Sequence, residues 1–259
     1  MEIRVLRDKS VILTFLRKNK EIQFYLIGDL DDFFWPQTIW YCLTDKKNIL
    51  SIALLYAGME IPTLLLFYEG NPKYPMKLLK QIRQKLPARM FAHLSPGLID
   101  IFGRQNIIHD YGLHFKMVLR KRPEEINDPN IRRLSEADLT SILDLYSVAC
   151  QDNWFNEQIL KTGKYFGYFI GKKLAGISGI HVYSKEFKVS ALGNIATHPD
   201  YRGQHIAFKL TSVLCNDLIR DVELIGLNVK SDNEYAIKCY SRIGFETTGK
   251  YEEFLIRNS

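Results

Sequence analysis

The sequence lacks paired cysteines. Its 4 cysteines are Cys42, Cys150, Cys215 and Cys239, and no two make a Cys-x-x-Cys pair. Zinc-ribbon and dithiol redox chemistry therefore have no motif to rest on, and no metal ligand set is expected. Cys215 and Cys239 fall on predicted helices among apolar neighbours and read as buried thiols. Long apolar runs are missing too. No stretch approaches the roughly 20 residues that a membrane-spanning helix needs. The start, Met1-Glu-Ile-Arg-Val-Leu-Arg-Asp-Lys9, has no apolar signal region. The expectation is no membrane partner and a reducing cytoplasm. Formal net charge is +6, yet no basic run is longer than Arg120-Lys-Arg122. That balance suits an acidic small ligand, and it makes nucleic acid the less favoured partner.

What is present is ordinary for a globular chain. Hydrophobic residues make up 46% and charged residues 25% of 259 positions. This length allows one large or two small domains. In the first half, Val11–Arg17 has helical character. Phe33, Phe34, Trp35 and Trp40 crowd one region and read as core. Trp40–Leu43, Ile49–Ala57 and Thr63–Tyr68 read as strands. Met76–Leu86 has helical spacing through Leu78, Leu79, Ile82 and Leu86. Arg89–Leu94 is a strand, Leu98–Phe102 a short helix and Phe115–Arg120 another strand. Arg122-Pro-Glu-Glu-Ile-Asn-Asp-Pro-Asn130 has two prolines among polar residues and reads as a linker. Residues 1–122 and 131–259 are thereby expected to be separate domains joined by residues 123–130.

The second half alternates strand and helix. Ile131–Leu134 is a strand. Ser135 and Asp138 have the capping-box spacing before a helix to about Cys150. Phe155–Thr162 reads as a short helix. Tyr165–Ile170 and Leu174–Tyr183 form a hairpin around Gly171-Lys-Lys173. Gly176 and Gly179 on its second strand point to bending or a close backbone approach. Ser190–Thr197 is a strand that His198-Pro199-Asp200 breaks. A helix follows on the period of Ile206, Leu210, Val213, Leu214 and Leu218. Strand, tight turn and helix together aim unpaired N–H groups at an anion, so a phosphate is the expected ligand there. Leu224–Val229 and Tyr251–Arg257 are the remaining strands.

Two blocks go further. Arg202-Gly-Gln-His-Ile-Ala207 resembles the Arg/Gln-x-x-Gly-x-Gly/Ala motif of the GNAT N-acetyltransferase superfamily, with His205 where the family has glycine. Asn233, Ala236, Tyr240, Gly244 and Phe245 match its Asn-x-x-Ala-x-x-x-Tyr-x-x-x-Gly-Phe block. The resemblance covers residues 130–259. It implies an α/β fold with an α+β mixed sheet. Residues 1–122 would be a degenerate GNAT-like half without the phosphate turn, as in the glycine N-acyltransferase-like branch, or an unrelated α/β domain.

The resemblance also implies an acetyl-CoA cosubstrate and direct attack by an amine, either a small molecule or an amino acid. It places Ile195, Ala196, Thr197, Arg202, Gly203, Gln204, His205, Ile206, Ala207, Phe208, Asn228, Asn233, Ala236 and Tyr240 against the cofactor. The pantetheine arm would pair with backbone groups of Ile195 and Thr197, and Asn233 would hydrogen-bond it. Tyr240 stands at the family's general-acid position. The family's carboxylate bases have no counterpart, since Asn194 and Asn228 hold those positions. His181, or a water chain relayed by Asn194 or Asn228, is the candidate base, and His198 reads as structural. Asp152, Trp154 and Phe155 are candidates for the acceptor wall. A non-catalytic acyl-CoA sensor and a tRNA-dependent aminoacyl transferase are the competing readings.

Overall fold

The computed structural model describes residues 1–259 apart from Lys47, Gln151, Asp152, Trp154 and Ser259. In chain order the first elements are β1 Glu2–Leu6, α1 Lys9–Leu16, α2 Lys20–Gly28, β2 Thr38–Asp45, β3 Asn48–Tyr56 and β4 Thr63–Leu66. α3 Lys73–Ile82, β5 Arg89–Leu94, β6 Ile107–Leu119, β7 Ile131–Arg133, α4 Leu139–Ala149 and β8 Phe166–Ile170 follow. The last are β9 Lys173–Ser184, β10 Val189–Thr197, α5 Ile206–Leu218, β11 Leu224–Lys230, α6 Glu234–Ile243 and β12 Phe245–Arg257.

The chain divides into two compact units at other places than the sequence pattern suggests. One unit holds residues 1–116, 230–232 and 248–259; the other holds 117–229 and 233–247. The expected boundary at the linker therefore needs correction. Thr248–Ser259 belongs with the first unit because Glu252–Arg257 pairs antiparallel with β5, Glu253 opposite His93 and Ile256 opposite Met90. The linker itself belongs to the second unit. Asn216 on α5 donates its amide to the carbonyls of Pro123 and Glu124, and Lys209 pairs with Asp128 at 2.7 Å.

In the first unit the strands run in the order β1-β2-β3-β4-β5-β12. Only β4 and β5 are parallel, with Thr63 opposite Phe91 and Leu66 opposite Leu94. α3 buries Leu78, Leu79 and Ile82 against Leu64, Leu66, Met90, Ala92, Phe254 and Ile256. Their alternation along the strands is what a half-covered sheet requires. Of the aromatic cluster, Trp40 is buried, whereas Phe33 is 54% exposed. The core reading thus fails at Phe33, which lies in the turn after α2 rather than on a strand.

In the second unit the order is β11-β10-β9-β8-β7. β10 and β11 form the parallel pair. α5 buries Ile206, Leu210, Leu214 and Leu218, each contributing about 1.5–3 kcal/mol. Gly176 is needed on β9 because a Cβ there would lie 2.6 Å from Ile206 Cγ2 on α5. Gly179 faces the other way, where a Cβ would collide with the Tyr165 ring. α4 starts from the Ser135–Asp138 capping box, with Ser135 N–H donating to Asp138 at 2.9 Å.

Candidate active site

The site is built where β10 leaves β11. Their parallel pairing runs from Val189 opposite Leu224 to Leu192 opposite Leu227 and goes no further. The cause lies on the other edge of β10. Its register with β9 shifts between Ala191 and Leu192 and again between Gly193 and Ala196. Within the second shift Asn194 has φ +54°, the left-handed region that asparagine enters more readily than most residues. Tyr146 on α4 donates its hydroxyl to Asn194 O at 2.8 Å. Asn194 Nδ2 donates to the Tyr165 hydroxyl at 2.9 Å, and that hydroxyl donates to Ile180 O at 2.8 Å. Beyond this bulge β10 stays on β9, with Ala196 opposite Ile177, and a fork opens toward β11.

The free edge can be read from the strand's alternation. His198 N–H donates to Ala175 O on the β9 side at 2.9 Å. Successive amides point to opposite edges, so those of Thr197 and Ile195 face the fork. At its open end the chain makes the short turn Pro199–Tyr201, in which His198 Nδ1 accepts the Asp200 N–H at 3.3 Å. His198 is thus a turn-capping residue. Gly203 has φ +78° and His205 φ +58°. The first amide after the turn with a backbone acceptor is Lys209 N–H, to His205 O at 3.0 Å. The amides of Gly203, Gln204, His205, Ile206, Ala207 and Phe208 have none among the described residues. Two left-handed residues before a helix start make an amide concavity suited to a pyrophosphate. These groups fit the phosphate end of coenzyme A, and the fork fits an extended arm that pairs as a strand would.

α6 supplies the other wall. Asn233 caps it, its Oδ1 accepting Ala236 N–H at 3.1 Å, which leaves Nδ2 for a ligand. Tyr240 is 9% exposed, and its hydroxyl has no hydrogen-bond partner among the described residues. Burial pushes its phenol pKa far up, with Cys239 and Cys215 adding in the same direction, so the hydroxyl keeps its proton. Its ring meets Phe245 edge-on at 6.1 Å. Asn228 lies half-buried on β11 and Ala236 half-buried on α6. Arg202 reaches back to Thr197 O at 3.4 Å.

His181 stands on β9 at the first register shift. Its ring occupies the place a Cβ on Gly193 would take, so Gly193 is glycine for room rather than for φ. Gly193 pairs with Gly179, whose missing Cβ faces Tyr165, so His181 lies on the α4 side of the sheet beside the bulge. On that side the Phe155 ring lies tilted against Tyr146 at 5.5 Å and meets Tyr165 edge-on at 5.8 Å. Asp152 and Trp154 lie outside the described residues. Sequence reasoning missed Tyr146 and Tyr165. Gly179, a glycine facing a ring across a strand, is the one signal that pointed toward Tyr165.

Comparison with known proteins agrees with this geometry. Residues 129–245 match the model of the acetyltransferase (GNAT) family. Residues 129–245 therefore form a domain of the GNAT family. Membership implies acyl transfer from an acyl-CoA to an acceptor. Among solved structures, a GNAT-family acetyltransferase from Colwellia psychrerythraea is 15% identical, with 99% of this chain and 100% of that chain covered and a TM-score of 0.59. A Drosophila protein is 13% identical over 99% of both chains, at TM-score 0.74. A tandem GNAT protein from the clavulanic acid biosynthesis pathway is 12% identical over 100% of this chain and 98% of its own, at TM-score 0.56. At such identities the likeness is one of fold. No curated protein sequence matches the chain.

Proposed function

We propose that the chain is an acetyl-CoA-dependent N-acetyltransferase acting on the primary amine of a small molecule or amino acid. The observation that carries this reading is the fork itself. Among the described residues, a strand edge unpaired at Ile195 and Thr197 leads to a nest of unpaired amides from Gly203 to Phe208, with a protonated Tyr240 hydroxyl on α6 that has no partner there either.

When bound, acetyl-CoA supplies an activated thioester. The backbone of Ile195 and Thr197 holds the arm in register, with Ala196 between them and Asn228 facing from β11. The amides of Gly203 to Phe208 donate to the pyrophosphate, with the Arg202 side chain beside them. Asn233 Nδ2 fixes the arm where α6 starts, beside Ala236. Such positioning replaces a bimolecular encounter by a held one, worth about 7–11 kcal/mol at most. His181 takes a proton from the attacking amine on the α4 side. Tyr240 holds a proton at Oη for the sulfur as the C–S bond breaks, while the new N–C bond forms. The net exchange is one proton from amine to imidazole and one from phenol to thiolate.

Thiol release from acetyl-CoA over a panel of small amines tests the reading. Release that depends on an amine supports the transferase. One equivalent of acetyl-CoA bound with no release over the panel favours the sensor, and release that requires charged tRNA favours the aminoacyl transferase.

A further inference from the structure

We infer that Tyr146 and Tyr165 are positioning residues, a two-phenol clamp that holds the fork open by holding Asn194 in its left-handed conformation. The clamp concerns the architecture of the fork. Only its ligand-binding readout rests on the acyl-CoA reading.

A parallel pair as regular as Val189–Leu192 with Leu224–Leu227 would continue if nothing stopped it, since each further pair satisfies backbone groups. Asn194 is what stops it. Its φ of +54° turns the strand out of the β region for one residue. A left-handed residue costs about 1–3 kcal/mol unless its surroundings over-determine it. Here both its backbone and its side chain are held. The Tyr146 hydroxyl donates to Asn194 O, holding the backbone carbonyl of the left-handed residue. Tyr165 accepts from Asn194 Nδ2 and donates its own hydroxyl hydrogen bond to Ile180 O on β9. Asn194 is 9% exposed and both phenols are buried, so water cannot easily replace either bond. Burial pushes both phenol pKa values up, so both hydroxyls remain donors across the working pH range. Phe155, wedged against both rings, fixes their directions.

The clamp joins three separate stretches: α4, the segment before β8, and the bulge of β10. None of these contacts is made by a residue of the phosphate turn or of α6. The fork's opening and its ligand groups are therefore set independently.

The test uses Asn194→Val and Tyr146→Phe in the full chain, with Ile142→Val as a stability control on the same helix. Two readouts are taken: amide hydrogen exchange at Ile195 and Thr197, and acetyl-CoA affinity by calorimetry. In the wild type these two amides should exchange fast, as unpaired edge groups do. A β-branched residue resists φ near +54°, so Asn194→Val should let β10 close on β11. Protection at Ile195 and Thr197 should rise tenfold or more, and acetyl-CoA should bind at least tenfold more weakly. Tyr146→Phe removes one hydroxyl and leaves the ring packed, and a loss of about fivefold in affinity is expected. Ile142→Val should lower Tm and change neither readout. Wild-type exchange at Ile195 and Thr197 in both clamp variants would overturn the inference. Protected amides in the wild type would overturn it as well. Should Asn194→Val not fold, Tyr146→Phe decides alone. A wild type that exchanges as expected but binds no acetyl-CoA would sink the acyl-CoA reading and leave the clamp standing.

Discussion

Each unit has a parallel strand pair joined through a helix, and the two pairs end in opposite ways. In the first unit β4 and β5 stay together to their ends. Ser95 N–H extends the pairing to Leu66 O at 3.0 Å, and Tyr68 N–H then lands on Ser95 Oγ at 3.0 Å. A serine side chain thus closes the gap. In the second unit β10 carries a left-handed asparagine at the corresponding point and the gap opens. The turns differ as well. Before α3 the chain reads Glu69-Gly-Asn-Pro72, with Asn71 Oδ1 taking up Lys73 N–H at 2.9 Å and Met76 N–H bonded to Pro72 O. Proline at 75 removes another donor. Before α5 the six amides of Gly203 to Phe208 have no backbone acceptor among the described residues. One residue type at one strand position, with the turn to match, separates a closed pair from a cleft.

The sharpest way to break the comparison is at α6, where the first unit has only the one-turn helix Leu98–Ile101 after β5. If Tyr240 gives its proton to the sulfur, Tyr240→Phe should cut kcat by about a hundredfold, the lower end for general acids, since thiolates leave readily. Affinity for acetyl-CoA should hardly change, because the bond matters only as charge develops. Steady-state kinetics with a working acceptor, beside a Tm measurement, decide it. A normal kcat with a lowered Tm would make Tyr240 a core residue.

The helix ends differ in a way that pH can expose. Arg83, just past α3, donates to Ile101 O at 3.1 Å and Phe102 O at 3.4 Å, which are neutral acceptors. Near the end of α5, Asp217 and Asp221 each hold Lys164 Nζ at 2.6 Å, and Lys164 is nearly buried. Lys164 first, then Tyr183, pulls the Asp221 pKa well down. At Asp217 burial pushes upward, and Lys164 and Arg133 outweigh it, leaving it lowered. Carboxylates with depressed folded pKa values stabilise fully above their unfolded pKa, about 3.9. That stability is lost as pH falls through the folded value. Asp221→Asn should therefore cost about 2 kcal/mol at pH 7, where a charged hydrogen bond is lost. The deficit should shrink below about pH 4. Urea melts of both proteins from pH 7 to pH 2.5 measure it, and a pH-independent deficit would contradict the charge argument.

The phosphate turn and the Asn233–Phe245 block were legible because local chemistry makes them. Pro199 must break a strand, a helix start must present amides, and Asn233 must cap. The clamp was not legible. Tyr146 and Tyr165 lie on a helix and before a strand, with no periodicity to distinguish them from core aromatics. β1 and the full length of β6 and β12 were missed for a related reason. Glu2-Ile-Arg-Val-Leu6 is largely exposed, with Val5 at 50%, so it lacks the buried alternation that marks a strand. Thr248–Ser259 joins the first unit through partners about 160 residues away in sequence, which no local pattern records.

Gly193 tests the base. Its conformation is ordinary, so Gly193→Ala strains no φ; the atoms nearest the added methyl are those of the His181 ring. Pushing the imidazole aside should lower kcat by about tenfold, at the small end for a displaced base, and leave acetyl-CoA affinity within about threefold. A variant with wild-type kcat would hand the base role to a water chain.

The smallest effect belongs to His205. Its φ of +58° is the conformation that the family's glycine adopts freely, and the imidazole is exposed. Two terms oppose each other on His205→Gly. Relief of the left-handed conformation gains about 1–2 kcal/mol, and the freer unfolded chain of glycine takes back about 0.5–1 kcal/mol. Stability should thus change by no more than about 1 kcal/mol. The amide that faces the pyrophosphate survives the change, so acetyl-CoA affinity should move by less than tenfold, or about 1.4 kcal/mol. His205→Ala separates the terms, since it loses the ring and keeps a Cβ at the same φ. If the ring touches no ligand, His205→Ala and the wild type should bind acetyl-CoA alike. Calorimetry on both variants measures this. A tenfold loss shared by the glycine and alanine variants would mean that the imidazole itself holds the phosphate, and that histidine replaced the family's glycine at this turn for its side chain.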